Sequence, residues 1–141
     1  MSFHDFMEMA LYHPEYGYYT AGKKRIGKEG DYYTSPEVSS LYGQMIGKQL
    51  EEMYMIMGSH PMDIIEFGAG SGTLCNDILN HLKKQPAIYN NITYYIVEKN
   101  RIASNFSENF DHSKIRFISD ISERAGFSGC VISNELLDNF P

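Results

Sequence analysis

Glu66, Glu98, Asp120 and the pair Asn134-Glu135 each stand where a short apolar run stops. The runs are Met62-Asp63-Ile64-Ile65, Tyr95-Ile96-Val97, Phe117-Ile118-Ser119 and Cys130-Val131-Ile132-Ser133. Carboxylates in such places accept hydrogen bonds from hydroxyls and amines, and they pair with cations. Directly beyond Glu66 comes Phe67-Gly68-Ala69-Gly70-Ser71-Gly72, with glycine at every second position. Residues without Cβ permit tight turning and close approach of a ligand to the backbone. A glycine-rich turn between a strand and a helix starting near Thr73 is where an α/β sheet binds a nucleotide-like ligand. A dinucleotide fingerprint reads G-x-G-x-x-G, and Thr73 stands where its last glycine belongs. A buried carboxylate at Glu66 suits a ligand with a positive amino group and repels a pyrophosphate.

The other acids extend that ligand. Glu98, at the next strand end, has the position of an acid that accepts from two ribose hydroxyls. Alone, it would read as an exposed strand-end residue. Asp120 suits the exocyclic amine of adenine, or equally a helix cap. Asn134, Glu135 and Asp138 bring polar groups to where a reacting group would sit; otherwise they begin a helix with acids at its positive end. Together these positions describe an adenosine with a charged amino-acid tail, and S-adenosylmethionine fits. Methyl transfer from a sulfonium is an in-line displacement that needs approach geometry rather than a metal. His4, His13, His60, His81 and His112 make no metal-ligand spacing. No Ser-His-Asp or Cys-His arrangement is visible.

The elements that must hold these residues follow from periodicity. Ser2 with Asp5 forms a capping box before Phe3, Phe6, Met7, Ala10 and Leu11, which keep helical spacing up to His13-Pro14. A Gly-, Tyr- and charge-rich stretch through Asp31 reads as a long loop with room for a short hairpin. Ser35 and Pro36 then open one long helix, with Val38, Leu41, Tyr42, Met45, Ile46, Gln49, Leu50, Met53 and Met57 as its core-facing stripe. Gly58 and Pro61 end it. From Met62 onward strands and helices alternate. Strands are expected at 62–67, 92–97, 115–118 and 130–133, with helices marked by Leu74, Ile78, Leu79 and Leu82 and by Ile102, Ala103, Phe106 and Phe110. That alternation predicts an α/β fold with a parallel sheet and helices on both faces.

Length and charge set outer limits. The chain has 141 residues, about one domain, with 12 Lys plus Arg against 18 Asp plus Glu and a net charge of −6. That balance argues against a nucleic-acid or anionic-membrane surface. No run approaches the ~18 apolar residues of a membrane span. Cys75 and Cys130 lack partner spacing and read as reduced core thiols. The N-terminus shows no basic-then-apolar signal pattern.

Larger segments carry a resemblance. Ser2 to Met7 with Ala10 to Tyr19, then Gly30 to Ser39, Glu66 to Leu74 and Ile132 to Asp138 together resemble the MidA-like family of class I SAM-dependent methyltransferases. The first two segments are the more specific. Eukaryotic members are mitochondrial complex I assembly methyltransferases. The resemblance implies a Rossmann-like class I methyltransferase fold and S-adenosylmethionine as cofactor, bound by Thr34, Ser35, Glu66, Gly68, Ala69, Gly70, Gly72, Glu98 and Asp120. It implies arginine methylation of a protein substrate such as a respiratory complex I subunit, with Asn134, Glu135 and Asp138 as catalytic candidates. Residues 1–60 are expected to form a helical extension and residues 61–141 the N-terminal half of the cofactor domain. Compared with the family, the sheet is expected to be truncated after its fourth strand. The open edge would then pair with another copy or a second polypeptide. A bacterial cytoplasm, or a mitochondrial matrix in a eukaryote, is the expected compartment. Two rival readings stay open: an NAD(P)-binding oxidoreductase domain, and an inactive fragment serving as an interaction module.

Overall fold

The computed structural model describes residues 1–21, 30–31, 33–98 and 110–141. They form two compact units, Met1–Thr34 with Glu135–Pro141, and Ser35–Asn134. This division differs from the expected boundary at residue 60. The helix before the first strand packs against the helix after it, so residues from Ser35 onward belong with the sheet.

In the second unit, β1 (Met62–Phe67), β2 (Ile92–Val97), β3 (Ile115–Ile118) and β4 (Gly129–Ser133) form a parallel sheet in the order β3-β2-β1-β4. Phe67 registers with Val97 on one side and Ser133 on the other, and Val97 registers with Ile118. All four strands therefore end on one edge, which is where the sequence placed its acids. The strand boundaries agree with the pattern to within one residue. Ile92–Val97 is β-branched and aromatic throughout, and its inner side chains are buried. The expected helix over Ile102, Ala103 and Phe106 lies outside the described residues.

The single helix expected from Ser35 is two. α1 (Phe3–Tyr12) belongs to the first unit. α2 (Ser35–Val38) ends at Ser39, whose extended backbone (φ −158°) interrupts the run. The Ser39 side chain accepts from Leu41 N and starts α3 (Ser40–Ile56). The core face of α3 also differs from the expected stripe. Val38, Leu41 and Met45 are exposed, whereas Leu50 and Tyr54 are buried, and Tyr42, Ile46, Met53 and Met57 pack partly against the core. The reason is a pair of glycines. α4 (Thr73–Leu82) lies against Gly43 and Gly47 of α3. A Cβ at Gly43 would sit 2.4 Å from the Asp77 Cβ, and one at Gly47 would sit 2.8 Å from the His81 ring. Helices in contact at glycine come closer than large side chains permit, so the larger residues on the neighbouring stripe turn outward. Buried Glu51 sits beside this contact. It accepts from Lys48 Nζ at 3.1 Å, and His81 Nε2 lies 3.1 Å away at an angle that misses a hydrogen bond.

Ile78, Leu79 and Leu82 of α4 join Ile64, Tyr94 and Ile96 in the main core. α5 (Pro86–Tyr89), a short helix not expected from the pattern, buries Ile88 and Tyr89. The opposite sheet face carries Ile65, Val97 and Ile118 under Ile121 and Phe127. Cys75 is buried as expected, but Cys130 on the outer strand is only partly so.

In the first unit, the Ser2–Asp5 capping box starts α1 as predicted. Tyr12 Oη donates to the Asn139 carbonyl at 2.6 Å, and Tyr19 Oη donates to the Asn139 side chain. These bonds tie the two ends of the chain together within one unit.

Gly43→Ala is expected to destabilise the chain by about 1–3 kcal/mol, because the new methyl meets the Asp77 Cβ beside rigid helix backbone. Gly47→Ala meets a ring that can rotate and should lose less. Urea melts of both variants check this; a Gly43→Ala protein as stable as the parent would contradict the close packing.

Candidate functional site

β1 runs between β2 and β4 and must turn sharply at the sheet edge. It does so through Gly68, Gly70 and Gly72, whose φ angles are +68°, +56° and +79°. Each is in the left-handed region that side chains with Cβ rarely occupy. The alternating spacing thus records a backbone that is left-handed at every second residue. Gly68 N donates to the Val97 carbonyl at 3.1 Å, and Gly72 N donates to the Ala69 carbonyl at 2.8 Å. Gly72 is the N-cap of α4 and has no side chain to cap it; the hydroxyl contact to this helix start, Thr73 N to Ser71 Oγ, is long at 3.4 Å. Its first-turn N–H groups open at the sheet edge, an arrangement suited to an anion.

Glu66 lies beneath the turn with only 2% of its surface exposed. It shares a sheet face with Ile64 and Tyr94, and Tyr94 Oη donates to Glu66 Oε2 at 2.8 Å. Burial raises the Glu66 carboxyl from its ordinary 4.5 to about 7; the Tyr94 bond pulls the other way, and the Glu98 charge pushes it higher. Burial and the neighbouring Glu66 charge push the Tyr94 phenol well up. Burial also raises the Cys75 thiol, so it is inert as a nucleophile. Glu66 is therefore a carboxylate whose full charge at neutral pH waits for a cation.

The second unit brings several expected residues to this edge. Glu98 follows β2 one residue past the Phe67–Val97 pair and is half-buried. Asn134 follows β4, with its Oδ1 accepting from Tyr42 Oη of α3 at 2.9 Å. Ser35 opens α2 and is exposed. Asp120 lies two residues past β3, where it N-caps the 3-10 helix Ile121–Arg124 through a bond from Ser122 N at 2.8 Å. Of its two sequence readings, the structure shows the cap. Thr34, Glu135 and Asp138 belong to the first unit. Glu135 and Asp138 are exposed, and Glu135 has a left-handed backbone, φ +48°. Asn139 Nδ2 donates to the Glu135 carbonyl at 3.1 Å.

Sequence reasoning gave Tyr94, Tyr42 and Glu37 no place in the site. Tyr94 was legible in principle, since it registers with Ile64, two residues before Glu66 and so on the same face. Glu37 and Tyr42 had no local signal, because their partners are at Ser71, Thr73 and Asn134.

Comparison with known proteins places this geometry. Residues 45–141 match the family described as "Putative S-adenosyl-L-methionine-dependent methyltransferase". The chain belongs to this family. The mitochondrial protein arginine methyltransferase NDUFAF7 homolog of Drosophila melanogaster is 40% identical over 81 residues, 57% of this chain and 18% of that protein. The human protein arginine methyltransferase NDUFAF7 is 33% identical over 97 residues, 67% of this chain and 22% of its own length. A Burkholderia thailandensis crystal structure containing S-adenosyl-homocysteine superposes with a TM-score of 0.77 at 27% identity, over 100% of this chain and 38% of the other. The fold is thus the Rossmann-like fold of these methyltransferases. The chain spans about a fifth of the curated relatives' length. No described helix is long and apolar enough to cross a membrane, and no group of metal-ligating side chains occurs among the described residues.

For this family member the charge state of Glu66 sets a pH signature. A carboxyl raised from 4.5 to about 7 on folding contributes its full stability below pH 4.5 and loses it as pH rises through 7, about 3 kcal/mol in all. Glu66→Gln removes that dependence, so the variant should gain stability relative to the parent between pH 4.5 and 7.5. Paired urea melts across that range measure it; a constant difference would show that Glu66 titrates normally.

Proposed function

We propose that this chain forms the cofactor-binding part of a SAM-dependent methyltransferase acting on protein arginine. The observation that carries the reading is the buried Glu66 under a left-handed glycine turn beside an uncapped helix start. One anion and one set of N–H donors, side by side, fit the ammonium and carboxylate of an amino-acid tail better than a pyrophosphate. S-adenosylmethionine supplies an electrophilic methyl group on a sulfonium. Glu66 would hold its ammonium, N–H groups after Gly68, Ala69, Gly70 and Gly72 its carboxylate, and Glu98 its ribose hydroxyls. Thr34 and Ser35 would shape the entrance, and Asp120 would meet the adenine amine with whatever capacity its cap leaves.

The substrate side rests on the relatives' names and on chemistry. A guanidinium stays protonated near neutral pH, so carboxylates must hold it while a nitrogen lone pair is aimed at the methyl. Glu135 and Asp138 are the acids that follow β4 in the chain, with Asn134 directly before them. We also infer that the outer side of β4, where Val131 is 48% exposed, accepts a further strand from the same or another polypeptide. The unpaired thiols suit a reducing compartment, as in a bacterial cytoplasm or a mitochondrial matrix.

Calorimetric titration with S-adenosylmethionine, S-adenosylhomocysteine and NAD tests the reading. Binding of the first two alone is expected. Binding of NAD alone would replace it with the oxidoreductase reading, and no binding would favour an interaction module. Gly70→Val should abolish binding, because φ +56° strains any branched residue and its side chain would project into the turn. Binding should also tighten as pH rises from 5.5 to 7.5, by up to roughly tenfold per unit below 7, since only ionised Glu66 meets an ammonium. A pH-independent affinity would remove Glu66 from that role.

A further inference from the structure

Glu37 of α2 reaches the far lip of the glycine turn. Its Oε1 atom accepts from Ser71 Oγ at 2.6 Å and from Thr73 Oγ1 at 2.7 Å. The two hydroxyl oxygens are 2.9 Å apart and flank Gly72, the N-cap of α4. Ser and Thr beside a helix start ordinarily turn their oxygens toward the helix N–H groups. Here a single carboxylate oxygen draws both hydroxyls to itself. The remaining contact toward the helix is long, 3.4 Å from Thr73 N to Ser71 Oγ. Two short bonds to one oxygen outweigh one long contact, so the tether prevails over capping.

We propose that Glu37 is a positioning residue for the glycine-rich turn. It holds Ser71 and Thr73 on either side of Gly72 and so keeps the first-turn N–H groups of α4 open for a ligand carboxylate. Neither hydroxyl is a ligand in this arrangement. Both serve as handles by which α2, some 34 residues earlier in the chain, fixes the left-handed Gly72. The break at Ser39 lets Glu37 point along α4's start while α3 follows the Gly43–Gly47 contact on its own axis. The ligand side of this inference rests on the S-adenosylmethionine reading; the tether itself does not.

The test uses the full chain with Glu37→Ala and Glu37→Gln. Without ligand, amide hydrogen exchange over residues 71–76 should be faster in Glu37→Ala and near parental in Glu37→Gln, whose amide oxygen still accepts both hydroxyls. With ligand, Glu37→Ala should weaken S-adenosylhomocysteine by about tenfold, a loss of about 1.4 kcal/mol, and leave adenosine unchanged. Glu37→Gln should recover most of that loss. Adenosine separates positioning from general damage, because it lacks the amino-acid tail. Equal losses for both compounds would reduce Glu37 to a structural residue. Unchanged exchange in Glu37→Ala would overturn the tether whatever the ligand. A parent chain that binds no S-adenosylhomocysteine would instead overturn the cofactor reading, even with altered exchange.

Discussion

β1 has a sheet neighbour on each side, and both neighbours stop where it stops. The chain must therefore turn sharply as it leaves the sheet, and Glu66 is the last residue of β1 on the face it shares with Ile64 and Tyr94. Burying that carboxylate removes it from water without giving it a cation among the described residues. Tyr94 supplies one hydrogen bond, and burial still wins, holding the group near the midpoint of its titration at neutral pH. A polar group kept in this condition is a standing cost to the fold. The proposed ligand ammonium would offset that cost, linking the stability of the sheet to the proposed chemistry at its edge.

The surroundings of that edge are held from below and from the side. Gly43 and Gly47 bring α3 against α4, and buried Glu51 with Lys48 and His81 marks the same interface with charge. α4 begins at the turn, so this packing also fixes the direction in which its N–H groups point. Glu37 adds a contact from outside through two hydroxyls, and Tyr42 reaches from α3 to Asn134 after β4. α2 and α3 are in this sense part of the site's frame. The sheet alone would leave the turn supported only by its own backbone bonds.

Strand positions were legible because each is a short apolar run, buried almost throughout in β1 and rich in β-branched and aromatic residues in β2, and the parallel sheet followed from the alternation with helices. The glycine turn and Glu66 were legible because a left-handed backbone and a buried acid both demand specific residue types. Asp120 showed the weakness of position alone. An acid after a strand serves as a helix cap or a ligand contact with the same local sequence, and here the cap is what forms. The face of α3 was misread for a related reason. Apolar spacing marked Val38, Leu41 and Met45, but close approach at glycine rather than apolar area chose the buried side.

The sequence by itself determined where each strand ends, where the backbone must turn left-handed and which acids stand at the sheet edge. These are local properties, written in residue size, branching and the lack of Cβ. Only the tertiary structure decided what surrounds those acids. Tyr94 under Glu66, Glu37 across Ser71 and Thr73, and Tyr42 on Asn134 all join residues from 28 to 92 positions apart. Such pairs have no spacing rule. They exist because parallel strands and closely packed helices bring distant residues to one edge, and the charge state of Glu66 exists only after they have done so.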